Sequence, residues 1–252
     1  MCASLFAFLR KCVVRSWRCE AREVFKNLFL EGKIYLSLSD YGLMNSLTQK
    51  EIGQKYQSFA SNYDTWEGLI EWVIVGRLRR GLLREAKGKV LDVGIGTGKN
   101  LRHYSDECDL TGIDYTPAML EVARKRAKNL GRRIVLKRGD AQKLPFKAGS
   151  FDTVVDTLCL CTYPNPVKAL QEMKRVCKRD GQILLLEHGE SSNDLLRRLQ
   201  QRVKKKQLER LGCHVDRDIV GLVQKAGLKI LSVERRFFGI FCVIRAYAKN
   251  DV

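Results

Sequence analysis

The sequence predicts an α/β fold: a mostly parallel sheet with helices on both faces and an antiparallel hairpin at its C-terminal end. Three observations predict it. From residue 89 onward, short apolar runs alternate with longer helix-like stretches, the pattern that right-handed βαβ crossovers produce. A glycine-rich loop, GIGTG at 94 to 98, directly follows the first of these runs. The last two apolar runs have only Phe237 and Phe238 between them. Such a connection joins antiparallel neighbours but is too short for a parallel crossover.

Taken in order, KVLDV (89–93), DLTGIDY (109–115), RIVLKRGD (133–140), FDTVVDTLCL (151–160) and GQILLLEHG (181–189) are rich in Val, Ile and Leu and shorter than typical helices. They read as buried strands. Helices are expected over residues 98 to 104, over Pro117 to Leu130 and over Pro166 to Cys177. Thr116 and Asn165 stand where N-caps belong, and each is followed by a proline suited to the first turn. LKILSVERR (228–236) and GIFCVIRAYAK (239–249) form the closing hairpin, which brings the strand count to seven.

At 252 residues and 45% hydrophobic content, the chain supplies the core of one such domain plus an N-terminal extension, with no room for a second full domain. The formal charge of +18 implies attraction to something anionic: a lipid headgroup, RNA or an acidic substrate. WVIVG (72–76) is stopped by Arg77 and SLFAFL by Arg10, so no apolar run is long enough to favour a spanning helix. Nine cysteines occur with no CxxC pair and no Cys/His spacing suited to zinc, so no metal is expected and the thiols read as buried in a reducing compartment. Residues 1 to 19 carry Arg10, Lys11, Arg15 and Arg18 and no acid before Glu20. That is the character of a mitochondrial presequence, the alternative being an amphipathic surface helix on a cytoplasmic protein.

The glycine loop points to a nucleotide. In an open parallel sheet the ligand lies at the carboxyl ends of the strands, and this loop leaves the first strand there. Gly94 and Gly96 let the backbone turn tightly and approach a ligand, and Gly98 lets the next helix pack closely. A dinucleotide fingerprint needs a glycine at 99, where this chain has Lys99. Asp92 just before the loop suits a cationic ligand better than a pyrophosphate. S-adenosylmethionine has adenosine, an amino group and a sulfonium, and no phosphate. Asp114, ending the second strand, is placed to accept from both ribose hydroxyls, and Asp140 with Ala141, ending the third, to meet the adenine edge.

From Lys89 to about Lys249 the chain resembles the class I S-adenosylmethionine-dependent methyltransferases, in the branch of the ubiquinone and menaquinone biosynthesis and bacterial phospholipid N-methyltransferases. The motifs are VLDVGIGTG, GIDYTPAML (112–120), GDAQKLPFKAGSFDTVV (139–155) and ALQEMKRVCKRDGQILLLEHG (169–189). KYQSFASNYDTWE (55–67) matches the family's YxxxAxxYD segment at Tyr56, Tyr63 and Asp64. The front of the chain together with GCHVDRDIVGLVQKAGL (212–228) resembles mitochondrial methyltransferase-like proteins of eukaryotes.

The resemblance implies a Rossmann-like seven-stranded sheet whose last strand is antiparallel. It divides the chain into an extension (1–50) and a methyltransferase domain (51–252), with 51–88 as N-terminal cap and 190–212 as a substrate-side insertion. It also implies that Gly94, Gly96 and Gly98 border the methionine moiety, that Asp114 holds the ribose, and that its neighbour Tyr115 belongs to the cofactor site. Met119 would pack near the adenine, Asp140 and Ala141 would recognise its edge, Leu158 would meet the amino group, and Tyr63 would lie over the cofactor.

Methyl transfer from a sulfonium needs an aligned nucleophile and a dry site, with a base only if the acceptor must lose a proton. His188, at the end of ILLLEH, is the candidate base, the alternative being a hydrogen bond to a neighbouring loop; Glu187 is equally placed by sequence. Cys159 and Cys161 lack the Pro-Cys context of a base-methylating nucleophile, and YPNP (163–166) has the wrong order for an adenine-amino motif. NDLLRRLQQRVKKKQLERL (193–211) carries seven basic residues against two acids, with Leu195, Leu196, Leu199 and Val203 at helical spacing. Such a helix either rests on anionic lipid or packs on its own domain. The acceptor is therefore expected to be small and membrane-associated: a quinone precursor, a phospholipid amine or a hydrophobic thiol. Nucleic acid is the less favoured partner, because basic runs such as KRAKNLGRR (125–133) lack interleaved aromatics. A cofactor-binding assembly factor is the reading outside enzymology.

Overall fold

The computed structural model describes residues 47–60 and 75–248. The N-terminal extension, including the presequence-like residues 1–19, and Tyr63 and Asp64 lie outside the described residues. Helix α1 (Gln49–Phe59) starts with a capping box: Thr48 Oγ1 accepts from the Glu51 backbone N–H, and Glu51 accepts in return from that of Thr48, which satisfies two otherwise orphaned donors. Helix α2 (Gly76–Leu83) buries Arg79, Leu82 and Leu83.

The seven strands are β1 (Lys89–Val93), β2 (Asp109–Asp114), β3 (Val135–Arg138), β4 (Phe151–Thr157), β5 (Cys177–His188), β6 (Lys229–Arg236) and β7 (Phe241–Tyr247). They form one sheet in the order β3-β2-β1-β4-β5-β7-β6. The first five strands run parallel, and β7 inserts antiparallel between β5 and β6. Strand order reverses at β1, so the carboxyl end of β1 opens a crevice toward β2 on one side and β4 on the other.

Helix α3 (Pro117–Asn129) and helix α4 (Pro166–Val176) follow β2 and β4. Asn165 caps α4 by accepting from the Lys168 N–H. Thr116 holds the N-cap position of α3 without a side-chain cap bond. Helix α4 turns Ala169, Leu170, Met173 and Val176 fully into the core. This i, i+1, i+4, i+7 stripe stabilises by roughly 1.5–3 kcal/mol for each large apolar side chain removed from water.

Strand and helix ends differ from the sequence expectation by one to three residues at several places, and two differences go further. Residues 98 to 104 hold only a single 3-10 turn, Lys99–Arg102, after Gly98 in the left-handed region. Strand β5 begins at Cys177 instead of 181, because Cys177 pairs with Phe151 across a bulge. The intervening Lys178, Arg179 and Asp180 are not buried, so no apolar pattern announces them as strand.

After β5 come α5 (Asp194–Leu211) and α6 (Ile219–Lys225). Asn193 caps α5 by accepting from the N–H groups of Leu195 and Leu196, and Gly212 ends the helix in the left-handed conformation. Helix α5 packs on its domain through Gln200, Gln207 and Leu208, while Leu195 stays exposed.

Candidate active site

The cavity opens at the carboxyl ends of β1, β2 and β4, with α1 as one wall. At Gly94 the backbone has φ +64°, and a Cβ would lie 2.6 Å from Cys159 Sγ and 2.8 Å from Tyr163 Oη. Only glycine lets the chain turn here against the β4 loop. Gly98, at φ +79°, would drive a Cβ to 2.8 Å from Leu101 and 3.3 Å from Ala123 of α3. It serves helix packing and does not line the cavity, whereas Gly94 and Gly96 do.

Asp114 lines the cavity at the end of β2. Its Oδ2 accepts from the Gly96 N–H at 2.9 Å and its Oδ1 from the Thr116 N–H at 2.8 Å. Burial raises its pKa above the usual carboxylate value, and the N–H groups of Thr116 and Gly96 oppose that rise. As an acceptor-only group on the cavity wall, the carboxylate can receive a ligand hydroxyl. Tyr115, Met119, Ala141 and Leu158 also line the cavity. Leu158 has φ +59°, a conformation that costs a non-glycine residue about 1–3 kcal/mol and that clusters at functional sites. Its N–H is spent on Leu186 O at 2.8 Å.

Besides Gly98, three sequence-predicted residues sit off the cavity wall. Asp92 is buried below the loop, where Asn100 Nδ2 donates to both carboxylate oxygens at 3.0 and 2.9 Å and Tyr104 Oη donates at 2.9 Å. Burial pushes its pKa up to about 6 against the pull of these donors and of Arg79. It props the glycine loop from within instead of facing a cation in the cavity.

Asp140 turns its Oδ1 back to the Gln142 N–H at 2.8 Å, an Asx turn that leaves Ala141, but not Asp140, on the cavity wall. His188 is buried with Nε2 3.5 Å from Cys213 Sγ and does not line the cavity. Its neighbour Glu187 points into the other side of the strand, where its carboxylate accepts from the N–H groups of Cys159 and Leu160 at 3.2 Å each.

Other cavity residues had little signal in the sequence. Arg79 reaches in from α2, with Nη1 donating to Asn100 Oδ1 at 2.5 Å and Thr157 Oγ1 at 2.8 Å. One arginine in RLRR gives no sign of being the buried one. Ile52 and Tyr56 of α1 contribute an apolar and aromatic wall. Beneath the β4 loop, burial pushes the neighbouring carboxyls of Asp156 and Glu187 above the usual carboxylate range. The Tyr163 hydroxyl is buried beside Asp156 and borders the cavity next to Gly94.

These features fit S-adenosylmethionine. The Gly94 cradle leaves backbone open to the methionine moiety, and Asp114 faces the cavity as an acceptor for the ribose. Met119 and Ala141 give an apolar face for a base.

Comparison with known proteins agrees. Residues 91–185 match a family model described as "Methyltransferase domain". The chain is 28% identical over 217 residues to the mitochondrial methyltransferase OMS1 of Saccharomyces cerevisiae, covering 78% of this chain and 46% of that protein. It therefore spans about half of that relative's length. It is 30% identical over 165 residues to the demethylmenaquinone methyltransferase of Lactobacillus johnsonii, covering 62% of this chain and 68% of the relative. Among solved structures, a possible histamine N-methyltransferase from Thermotoga maritima shares the fold, with a TM-score of 0.61 at 22% identity over 79% of this chain and 100% of that one. With this strand order and these matches, the chain belongs to the class I S-adenosylmethionine-dependent methyltransferases.

Proposed function

We propose that this chain transfers a methyl group to a small, membrane-associated acceptor: a quinone precursor, a phospholipid amine or a hydrophobic thiol. The observation that carries the transfer is the joining of Asp114 to the glycine loop at the one end of the sheet where strand order reverses. When bound, S-adenosylmethionine supplies a sulfonium methyl suited to in-line displacement. Asp114 and the Gly94–Gly96 backbone orient that ligand, Ile52 and Tyr56 exclude water from it, and the β4 loop borders the space left for the acceptor. His188 does not line this cavity.

A membrane acceptor is supported by the same edge of the sheet. Strand β7 begins opposite His188, the last residue of β5, so the β6–β7 turn projects beyond the carboxyl ends of the strands. Its Phe237 and Phe238 are 42% and 52% exposed, and Leu195 at the start of α5 is 55% exposed. Phe238 O accepts from Ser191 Oγ at 2.7 Å and from Ser192 N at 2.9 Å, tying the turn to the segment that leads into α5. Two exposed aromatics beside a basic helix are the elements of interfacial docking. Among the described residues no helix is long and apolar enough to cross a membrane.

Two relatives support the setting. One carries "mitochondrial" in its name, and the other is named for methylating a quinone. A mitochondrial membrane is the location proposed here. Incubating the protein with methyl-labelled S-adenosylmethionine and fractionated mitochondria tests the reading. Label in the lipid-soluble fraction is expected, and label in RNA, or in no fraction, overturns it.

A further inference from the structure

The cysteines and histidines show no metal motif in their spacing along the chain, yet the fold brings three of them together. Cys161 lies in the loop after β4, His188 ends β5, and Cys213 follows the glycine that terminates α5. Their ligand atoms all lie within 4.8 Å of one another, and all three residues are buried. Cys213 Sγ is 3.5 Å from His188 Nε2.

We propose that Cys161, His188 and Cys213 bind one zinc ion, a site separate from the methyl-transfer cavity. Zinc–sulfur and zinc–nitrogen bonds of about 2.3 and 2.0–2.1 Å in a tetrahedral array put sulfur and nitrogen ligands about 3.6 Å apart and two sulfurs about 3.8 Å apart. The Cys213 Sγ to His188 Nε2 separation of 3.5 Å fits that array, and the ligand atom of Cys161 lies within 4.8 Å of both. Two thiolates and an imidazole favour zinc over the oxygen-seeking magnesium or calcium. Binding releases one proton from each thiol, and two thiolates, a neutral imidazole and Zn²⁺ sum to zero charge, so the buried cluster gains no net charge. Among the described residues no fourth side chain joins the group, so the remaining position falls to water.

The backbone is arranged in advance. The His214 N–H donates to Cys161 O at 2.9 Å, and the Arg217 guanidinium donates to Leu160 O, so the two cysteine-bearing segments are held together without the ion. The β4 loop also carries Leu158, Cys159, Thr162 and Tyr163, which line the cavity. Zinc would thus clamp the cavity wall to the exit of α5.

The full chain, purified under reductant and without chelator, should contain about one zinc per molecule by elemental analysis. Cys213→Ser and His188→Asn should each lose it. Cobalt(II) added to the metal-stripped, reduced parent protein should give a thiolate-to-cobalt charge-transfer band and the intense visible bands of a tetrahedral site. This measurement stands even if the variants fail to fold. Parent protein without zinc and without that band overturns the proposal. So does a Cys161–Cys213 disulfide in metal-free protein purified under anaerobic conditions.

Discussion

The Asp114 carboxylate accepts from the Gly96 backbone N–H at 2.9 Å, which joins the end of β2 to the glycine loop leaving β1. A single acidic side chain thus shapes the loop and faces the cavity. Asp114→Ala should weaken S-adenosylmethionine binding by about 1.5–3 kcal/mol, the range for hydrogen bonds to a charged group, or roughly ten- to a hundredfold. Because burial raises the Asp114 pKa, affinity in the parent should fall as acid protonates this carboxylate, and the variant should lack that component. Calorimetric titration across pH checks both, and unchanged affinity in the variant removes Asp114 from the site.

Asp92 gives a pH-dependent stability with a defined sign. Its pKa is about 6 in the folded protein against roughly 3.9 in an unfolded chain, so the folded state holds the proton more tightly. That contribution is fully present below the unfolded value and is lost as pH rises through about 6. The difference between the two values corresponds to about 3 kcal/mol as an order of magnitude. Asp92→Asn should remove this loss. Urea denaturation of both proteins between about pH 4 and pH 7 should show the difference between parent and variant changing with pH, and a constant difference contradicts the assignment.

Gly94 and Gly81 should respond oppositely to alanine. At Gly94 the left-handed backbone alone costs about 1–2 kcal/mol, and the new Cβ collides with Cys159 and Tyr163. Cofactor binding and stability should both suffer. At Gly81, inside α2, a Cβ meets nothing within 4 Å, and alanine should stabilise by about 0.5–1 kcal/mol. Denaturant midpoints of the two variants decide it.

The lysines of α5 are not equivalent. Lys204 Nζ lies 3.3 Å from Asp216 and is partly covered, whereas Lys205 and Lys206 are exposed. Replacing Lys205 and Lys206 by Gln should weaken binding to cardiolipin-containing vesicles by about 1 kcal/mol per charge, less at high salt. Lys204→Gln should do less. Phe237→Ser with Phe238→Ser should weaken binding in a way salt does not change. If vesicle binding survives all of these while RNA binding is lost, the lipid acceptor is replaced by the RNA alternative.

What the sequence determined by itself was local. Strands β1, β2 and β4 were readable because buried strands of a parallel sheet need continuous apolar runs. The β6–β7 hairpin was readable because a connection this short, two residues as read and four (237–240) in the structure, admits only antiparallel neighbours. Asp114 and the glycine loop were readable because backbone permissiveness and a strand-end acid are properties of single positions. The tertiary structure alone decided where side chains at strand ends point. Asp140 turned to Gln142, Glu187 took the N–H groups of Cys159 and Leu160, and His188 turned to Cys213. Adjacent residues of a strand face opposite sides, and what waits on each side comes from distant segments. The meeting of Cys161, His188 and Cys213, and the burial of Arg79 from a helix outside the βα repeat, had no trace in spacing for the same reason: convergence in space depends on strand order and loop path, which no local pattern records.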